Sequence, residues 1–154
     1  MDLKDADSPA YVDRVLFCDR EKNRLTLFDL PTKASVEYKV KERYKISVGT
    51  AGHKTPRGCY RINTKVKDPA WTRPNSDWVP EALRGTVVQG GSADNPLKER
   101  WMGVTEPADG IGIHGTGDLE NLGVPASHGC IRMRPQDVIE LYEEVPLGTP
   151  MVIA

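Results

Sequence analysis

Frequent glycine and proline residues divide this chain into short segments, which favours strands and loops over a helical bundle. The 154 residues include 14 glycines and 12 prolines. Between them lie short runs rich in β-branched and aromatic residues, a pattern typical of an antiparallel sandwich or barrel. We therefore predict a mostly β fold. The runs expected to form its first strands are 12–19, 24–30, 36–40, 43–48 and 58–63.

One amphipathic helix is predicted near the C-terminus. Pro135 suits a first helical turn, where its missing N–H costs nothing. Apolar residues then recur at helical spacing and form a single stripe. We expect a helix at about 135–145 and a closing strand at 151–153. The apolar positions of the stripe are Val138, Leu141, Tyr142 and Val145.

The segment 64–96 differs from its surroundings because it is rich in proline and lacks clear periodicity. A loop of this length usually has a function or is disordered. Trp71 and Trp78 lie within it, and large aromatic side chains are costly to leave in water. The favoured interpretation is a lid over a functional site. The alternative is that the two tryptophans cover a small satellite core.

Length and charge limit the classes of function. We expect a disordered tail at 1–11 and one domain at 12–154. The formal net charge is -1 and the pI is about 6.3, which argues against a nucleic-acid partner. No apolar run is long enough to span a membrane, and the acidic N-terminus does not resemble a secretory signal. These features predict either a cytoplasmic protein or a trimmed fragment. We also expect a monomer that needs no cofactor.

Three cysteines are an odd number, so at least one cannot pair within the chain. Cys18 and Cys59 both lie in strand-like runs, and we expect both to be small buried residues. A disulfide between them is possible, although no feature of the sequence favours it. Cys130 is surrounded by glycine and histidine instead, which points to chemistry.

Cys130 and His114 are the candidate nucleophile and base. A thiol attacks an acyl carbon well only as a thiolate, and a nearby imidazole can take its proton and later return it. His114 ends an apolar strand, which provides a rigid position for a base. The N–H groups of Gly129 and Cys130 are candidate oxyanion donors, and the carbonyl of Gly115 can orient the far ring nitrogen of His114.

Other interpretations of the same residues stay open. His114, His128 and Cys130 could instead form a three-ligand zinc site. His128 otherwise supports the site by positioning Cys130 or binding substrate. A papain-like hydrolase is disfavoured, because there the cysteine usually precedes its histidine in the chain.

The segment from Ser127 to Met133, SHGCIRM, with His114-Gly115-Thr116 upstream, closely resembles the active-site signature of YkuD-type L,D-transpeptidases. Four further segments resemble other parts of that family. They are the strand and turn at 46–58, lid segments at 68–72 and 95–97, and the closing strand at 148–152. The resemblance covers about 12–154.

This resemblance implies a mostly β sandwich or barrel with a long loop lid and one helix towards the C-terminus. It implies that Cys130 attacks the bond between diaminopimelate and D-alanine in a peptidoglycan stem peptide, and passes the acyl group to an amine. An L,D-carboxypeptidase, with water as acceptor, and a non-catalytic zinc-bound wall-binding module are the alternatives. The resemblance also implies a location in the bacterial envelope. Residues expected at the substrate are Ser127, His128, Arg132, Thr116 and Trp71.

Overall fold

The computed structural model describes residues 13–31, 36–105 and 110–154. The tail predicted at 1–11 lies outside these residues. The described chain is mostly β, as the sequence predicts. Its main strands are β1 (Arg14–Asp19), β2 (Arg24–Asp29), β3 (Lys39–Ser47), β4 (Gly58–Arg61), β5 (Thr64–Lys67), β8 (Arg100–Gly103), β9 (Gly112–Gly115), β10 (Ile131–Met133) and β11 (Pro150–Ile153), with a two-residue pair formed by β6 (Trp71–Thr72) and β7 (Val87–Val88).

The main strands form one sheet in the order β4-β11-β1-β2-β3-β10-β9-β8-β5. Strands β4 and β5 lie at its opposite ends, yet only Ile62 and Asn63 separate them in the chain. The N–H of Ile62 donates to Thr149 beside β11, and that of Asn63 donates to Gly103 on β8. The sheet therefore curls until its two edges meet. The sequence predicted antiparallel pairing, whereas β1 with β11 and β9 with β10 pair in parallel.

The helix α1 (Pro135–Glu144) follows β10 and ends one residue earlier than the apolar stripe predicts. It packs on the sheet through buried Val138 and Leu141. The Tyr44 hydroxyl on β3 bonds Glu140 at 2.9 Å, which ties the helix to the sheet. No helix in the described ranges is long and apolar enough to cross a membrane.

Two further expectations from the sequence are wrong. Residues 64–67 are a strand of the main sheet and not part of a lid, because they pair with β8. Cys59 is exposed and not buried, because it lies on the edge strand β4 and its side chain points away from the core. Cys18 is buried in the core, and all three cysteines are free. The disulfide considered between Cys18 and Cys59 is therefore not formed.

The segment between β5 and β8 supports both interpretations of the tryptophan-bearing loop. Val79, Val88 and Leu97 are buried in it and lie outside the main core cluster. The fully buried amide of Asn95 holds the segment together by donating to the carbonyls of Pro69 at 2.7 Å and Gln89 at 3.1 Å. The tryptophans themselves stay partly exposed and reach the candidate site described next.

Candidate active site

Cys130 lies at the end of a tight loop that leads into β10, and its side chain is half-buried. The buried Ser127 hydroxyl fixes this loop by donating to the Cys130 carbonyl and accepting the Gly129 N–H at 3.1 Å. Gly129 has a φ of +125°, which strongly favours glycine. The Gly129 N–H, one of the two predicted oxyanion donors, is thus already engaged. Ser127 shapes the nucleophile loop, and its observed contacts do not place it as a substrate ligand.

The register of β9 and β10 brings Cys130 and His114 to one face of the sheet. Arg132 pairs with His114, and Ile131 with Ile113. Side chains alternate between faces along a strand, so Cys130, two residues before Arg132, shares the face of His114. Cys130 immediately precedes β10, so the register of the parallel pair places it diagonally across from His114.

His114 is 4% exposed, and its Nδ1 lies 2.6 Å from the carbonyl oxygen of Gly115. This is the contact expected from the sequence. A carbonyl can only accept, so Nδ1 carries the hydrogen and Nε2 is left as the proton acceptor of the neutral ring. Burial lowers the pKa of His114 to about 4, and the nearby Arg132 charge acts in the same direction, while backbone hydrogen bonds to Gly115 and Pro96 oppose both.

The thiol of Cys130 contacts the carbonyl oxygen of Gly110 at 3.2 Å. Burial raises the pKa of the Cys130 thiol, while the Gly112 N–H and the Arg132 guanidinium act to lower it. Burial thus favours the neutral forms of both candidate groups.

Trp101 on β8 supports the far side of His114, and the two ring centroids lie 6.0 Å apart. The pair forms because Trp101 is directly opposite His114 in the register of β8 and β9. Gly112 leaves room for this tryptophan: a Cβ there would lie 2.7 Å from the Trp101 ring and 2.6 Å from the Met102 carbonyl oxygen. The glycine that begins β9 is thus a packing requirement of the site.

We expect Gly112→Ala to lower the free energy of unfolding by about 1–3 kcal/mol, since the added methyl group overpacks the site. Urea denaturation measures the effect. Gly52→Ala is the matched control, because a Cβ at Gly52 has no atom within 4 Å, and it should change the same free energy by less than about 0.5 kcal/mol. Equal midpoints for the two variants would contradict the packing role of Gly112.

His128, in the nucleophile loop, belongs to a stack of aromatic rings. The His128 ring stacks on Trp78 with centroids 4.0 Å apart, and Trp78 stacks on Trp71 at 6.5 Å. His53 meets the His128 ring edge-on at 4.9 Å. Burial, followed by the His53 and Arg132 charges, lowers the pKa of His128. The tryptophan-bearing segment therefore covers the residues next to Cys130, as a lid would.

The remaining predicted substrate residues differ in their surroundings. Arg132 forms no ion pair with any residue in the described part of the chain, and its guanidinium donates only to the Ala126 carbonyl at 3.3 Å. Sequence alone does not distinguish a substrate carboxylate from a surface carboxylate as the partner of Arg132, and no surface pair is formed with any residue that the structure describes. Thr116 is buried and accepts the Asp118 N–H at 3.1 Å, which makes it a loop residue.

No metal site is apparent among residues 13–31, 36–105 and 110–154, since no three His, Cys, Asp or Glu side chains converge there. The zinc alternative for His114, His128 and Cys130 therefore gains no support from the geometry.

Three residues at the site were not identified from the sequence. Trp101 and His53 gave no local signal, because only sheet pairing and loop closure bring them to His114 and His128. Thr55 was recognised as part of a turn but given no role. Its hydroxyl in fact bonds the Gly129 carbonyl at 2.9 Å.

Fold and site together define a curled β domain in which the loop that carries Cys130 leads into the strand beside that of the buried His114. Residues 13–153 match the family model of the YkuD L,D-transpeptidase catalytic domain. The chain belongs to this family.

Individual relatives agree with the family model. The putative L,D-transpeptidase YqjB of Bacillus subtilis is 34% identical over 77% of this chain and 62% of its own length. The probable L,D-transpeptidase ErfK/SrfK of Escherichia coli is 33% identical over 73% of this chain and 36% of its own length. The chain thus spans less than two thirds of these two relatives.

Solved structures show the same fold. An L,D-transpeptidase from Mycobacterium smegmatis superposes with a TM-score of 0.70 at 19% identity, covering 92% of this chain and 58% of its own. L,D-transpeptidase 3 from Mycobacterium tuberculosis, in complex with a faropenem-derived adduct, gives 0.66 at 19% identity, covering 92% of this chain and 60% of its own.

Proposed function

We propose that this protein is a peptidoglycan L,D-transpeptidase whose nucleophile is Cys130 and whose base is His114. The observation that carries the proposal is the β9–β10 register, in which Arg132, two residues after Cys130, pairs with His114, while Gly115 fixes the His114 tautomer. Thiol acyl transfer needs a thiol within reach of an accepting ring nitrogen, and this register supports that role for the two residues. Membership of the YkuD family supports the same reaction class.

In the first half of the reaction, the Cys130 sulfur attacks the carbonyl carbon that joins diaminopimelate to D-alanine. Nε2 of His114 takes the thiol proton, and the carbonyl electron pair moves onto the oxygen. The C–N bond then breaks, His114 gives the proton to the departing D-alanine amine, and a thioester remains on Cys130. Burial makes the protonated ring costly, so this proton returns readily to the leaving group.

In the second half, an acceptor amine attacks the thioester and loses a proton to His114. The C–S bond breaks and the proton passes to the departing sulfur, which restores the neutral pair. The proposed acceptor is the side-chain amine of a second stem peptide, which gives a 3→3 cross-link. A free D-amino acid is an acceptor of the same chemistry.

Arg132 is the proposed anchor for a carboxylate of the stem peptide. It is a cation without an ion-pair partner among the described residues, and its planar guanidinium suits bidentate carboxylate binding. The partly exposed faces of Trp71 and Trp78 beside His128 provide an adjacent apolar surface. A substrate of this kind would place the protein at the bacterial envelope, where stem peptides occur.

Product analysis with a disaccharide-tetrapeptide substrate tests this function. We expect release of D-alanine together with a 3→3 cross-linked dimer, both visible by liquid chromatography and mass spectrometry. D-alanine with tripeptide alone would establish the L,D-carboxypeptidase instead, because water would then be the acceptor. No release of D-alanine by reduced, folded protein would refute both activities.

A further inference from the structure

The buried hydroxyl of Thr55 joins the loop after β3 to the nucleophile loop. Thr55 is 1% exposed, accepts the Gly49 N–H at 2.8 Å and lies 2.9 Å from the Gly129 carbonyl oxygen. An amide N–H only donates and a carbonyl only accepts. The hydroxyl hydrogen must therefore point at Gly129, and its direction is fixed.

The Thr55 side of this contact is rigid. The chain folds back so tightly from 49 to 55 that a Cβ at Gly49 would lie 1.9 Å from the His53 carbonyl oxygen. The N–H of His53 also donates to the Thr50 carbonyl at 3.0 Å, which closes the turn. Thr55 is thus held by its own loop before it reaches the nucleophile loop.

Two side-chain hydroxyls form hydrogen bonds with different backbone groups of the Gly129–Cys130 dipeptide. Ser127 holds the Gly129 N–H and the Cys130 carbonyl, and Thr55 holds the Gly129 carbonyl. Neither hydroxyl contacts the remaining polar group, the Cys130 N–H. The peptide bonds described are trans, so the Cys130 N–H points away from the Gly129 carbonyl in the same plane and away from buried Thr55.

We propose that Thr55 is a positioning residue, which orients the Cys130 N–H to donate to the oxyanion formed during acylation. The inference rests on the proposed function and extends it to a residue distant in sequence. When the thiol attacks, the carbonyl electron pair moves onto the oxygen, and the Cys130 N–H stabilises that charge. Thr55 touches no reacting atom. It acts by fixing the plane of the peptide that carries the donor.

Two reactions of the Cys130 thiol distinguish a residue that orients the oxyanion donor from one that only keeps the nucleophile loop folded. Acylation by faropenem opens a β-lactam through an oxyanion, with the C–N bond broken and the proton passed to the departing nitrogen. Alkylation by iodoacetamide displaces iodide from carbon and forms no oxyanion. A residue that orients an oxyanion donor affects the first rate and spares the second. A residue that merely keeps the loop folded affects both.

The variants are made in a Cys59→Ser background, because Cys59 is exposed and would also be alkylated. Cys18 needs no change, since it is buried and burial raises the pKa of its thiol to about 12. Thr55→Val keeps the shape of the side chain without the hydroxyl. Thr55→Ala is a second hydroxyl-free variant, and Thr55→Ser restores the hydroxyl. Thermal unfolding establishes the temperature at which each variant is folded.

We expect Thr55→Val to slow faropenem acylation about 10- to 100-fold, because the donor loses its fixed orientation. Iodoacetamide alkylation of Cys130 should change less than about twofold, and Thr55→Ser should recover most of the acylation rate. Unchanged acylation in Thr55→Val, an equal fall in both rates, or unfolding of both hydroxyl-free variants would each overturn the inference. Failure of the Cys59→Ser parent to acylate would count against the proposed function instead.

Discussion

Cys130→Ser is expected to release D-alanine from a tetrapeptide stem at least about 10⁴-fold more slowly than the parent, because a hydroxyl beside this imidazole is a much weaker nucleophile than the thiol. The substitution exchanges one atom on a half-buried side chain outside the main core. The fold should therefore persist. Steady-state D-alanine release at neutral pH measures the loss, and circular dichroism verifies that the variant is folded.

Cys59→Ser is the matched control for the loss of a thiol. Cys59 is free and exposed on the edge strand β4, outside the candidate site. Its substitution should leave the rate of D-alanine release within about twofold of the parent, as expected for a surface change. If Cys130→Ser kept the parental rate, or if Cys59→Ser lost it, the assignment of Cys130 as the nucleophile would be wrong.

His114→Gln should lower kcat for D-alanine release about 10²- to 10⁴-fold, the usual contribution of a general acid–base group. The glutamine amide can still donate to the Gly115 carbonyl, but it offers no basic nitrogen to the thiol. The test compares kcat and KM of folded parent and variant. A fall in kcat with little change in KM is the predicted pattern. A kcat within about threefold of the parent would exclude His114 as the base.

The same variant tests the burial of the ring through the pH dependence of stability. The pKa of His114 is about 4 in the folded chain and 6.5 in its ordinary state. Between these values the unfolded chain binds a proton that the folded chain does not. The stability present above pH 6.5 is therefore lost as the pH falls towards 4.

Urea denaturation at several pH values measures this loss. The stability of the parent relative to His114→Gln should decrease by up to about 3 kcal/mol across that window. A difference independent of pH would show that the ring of residue 114 titrates in the folded protein as it does in water.

The sequence predicted the parts of this protein that local pattern determines. The apolar stripe from Val138 to Val145 located α1 to within one residue. His114 lies on a strand as the apolar run before it predicts, and the expected contact of Gly115 with His114 is formed. These signals are short-range: a helical period, a strand end, and a glycine beside a reactive side chain.

Features that depend on how the sheet curls and closes could not be predicted from the sequence. Strand β5 was assigned to the lid because it begins a proline-rich segment without clear periodicity, and it pairs only because the curled sheet brings β8 beside it. Cys59 resembles a core residue until its position on an edge strand is known. The neutral state favoured for both candidate groups depends on burial by other segments, which no local motif encodes.

Peptide mapping after incubation with faropenem tests the central claim most directly. Cleavage after arginine and lysine places Cys18 in the peptide 15–20, Cys59 in the peptide 58–61 and Cys130 in the peptide 101–132. An adduct on each cysteine is therefore detected on a different peptide. We predict that the acyl adduct is found on the peptide 101–132, at Cys130, and disappears in Cys130→Ser. An adduct on Cys59 alone, or no adduct on reduced and folded protein, would contradict the account.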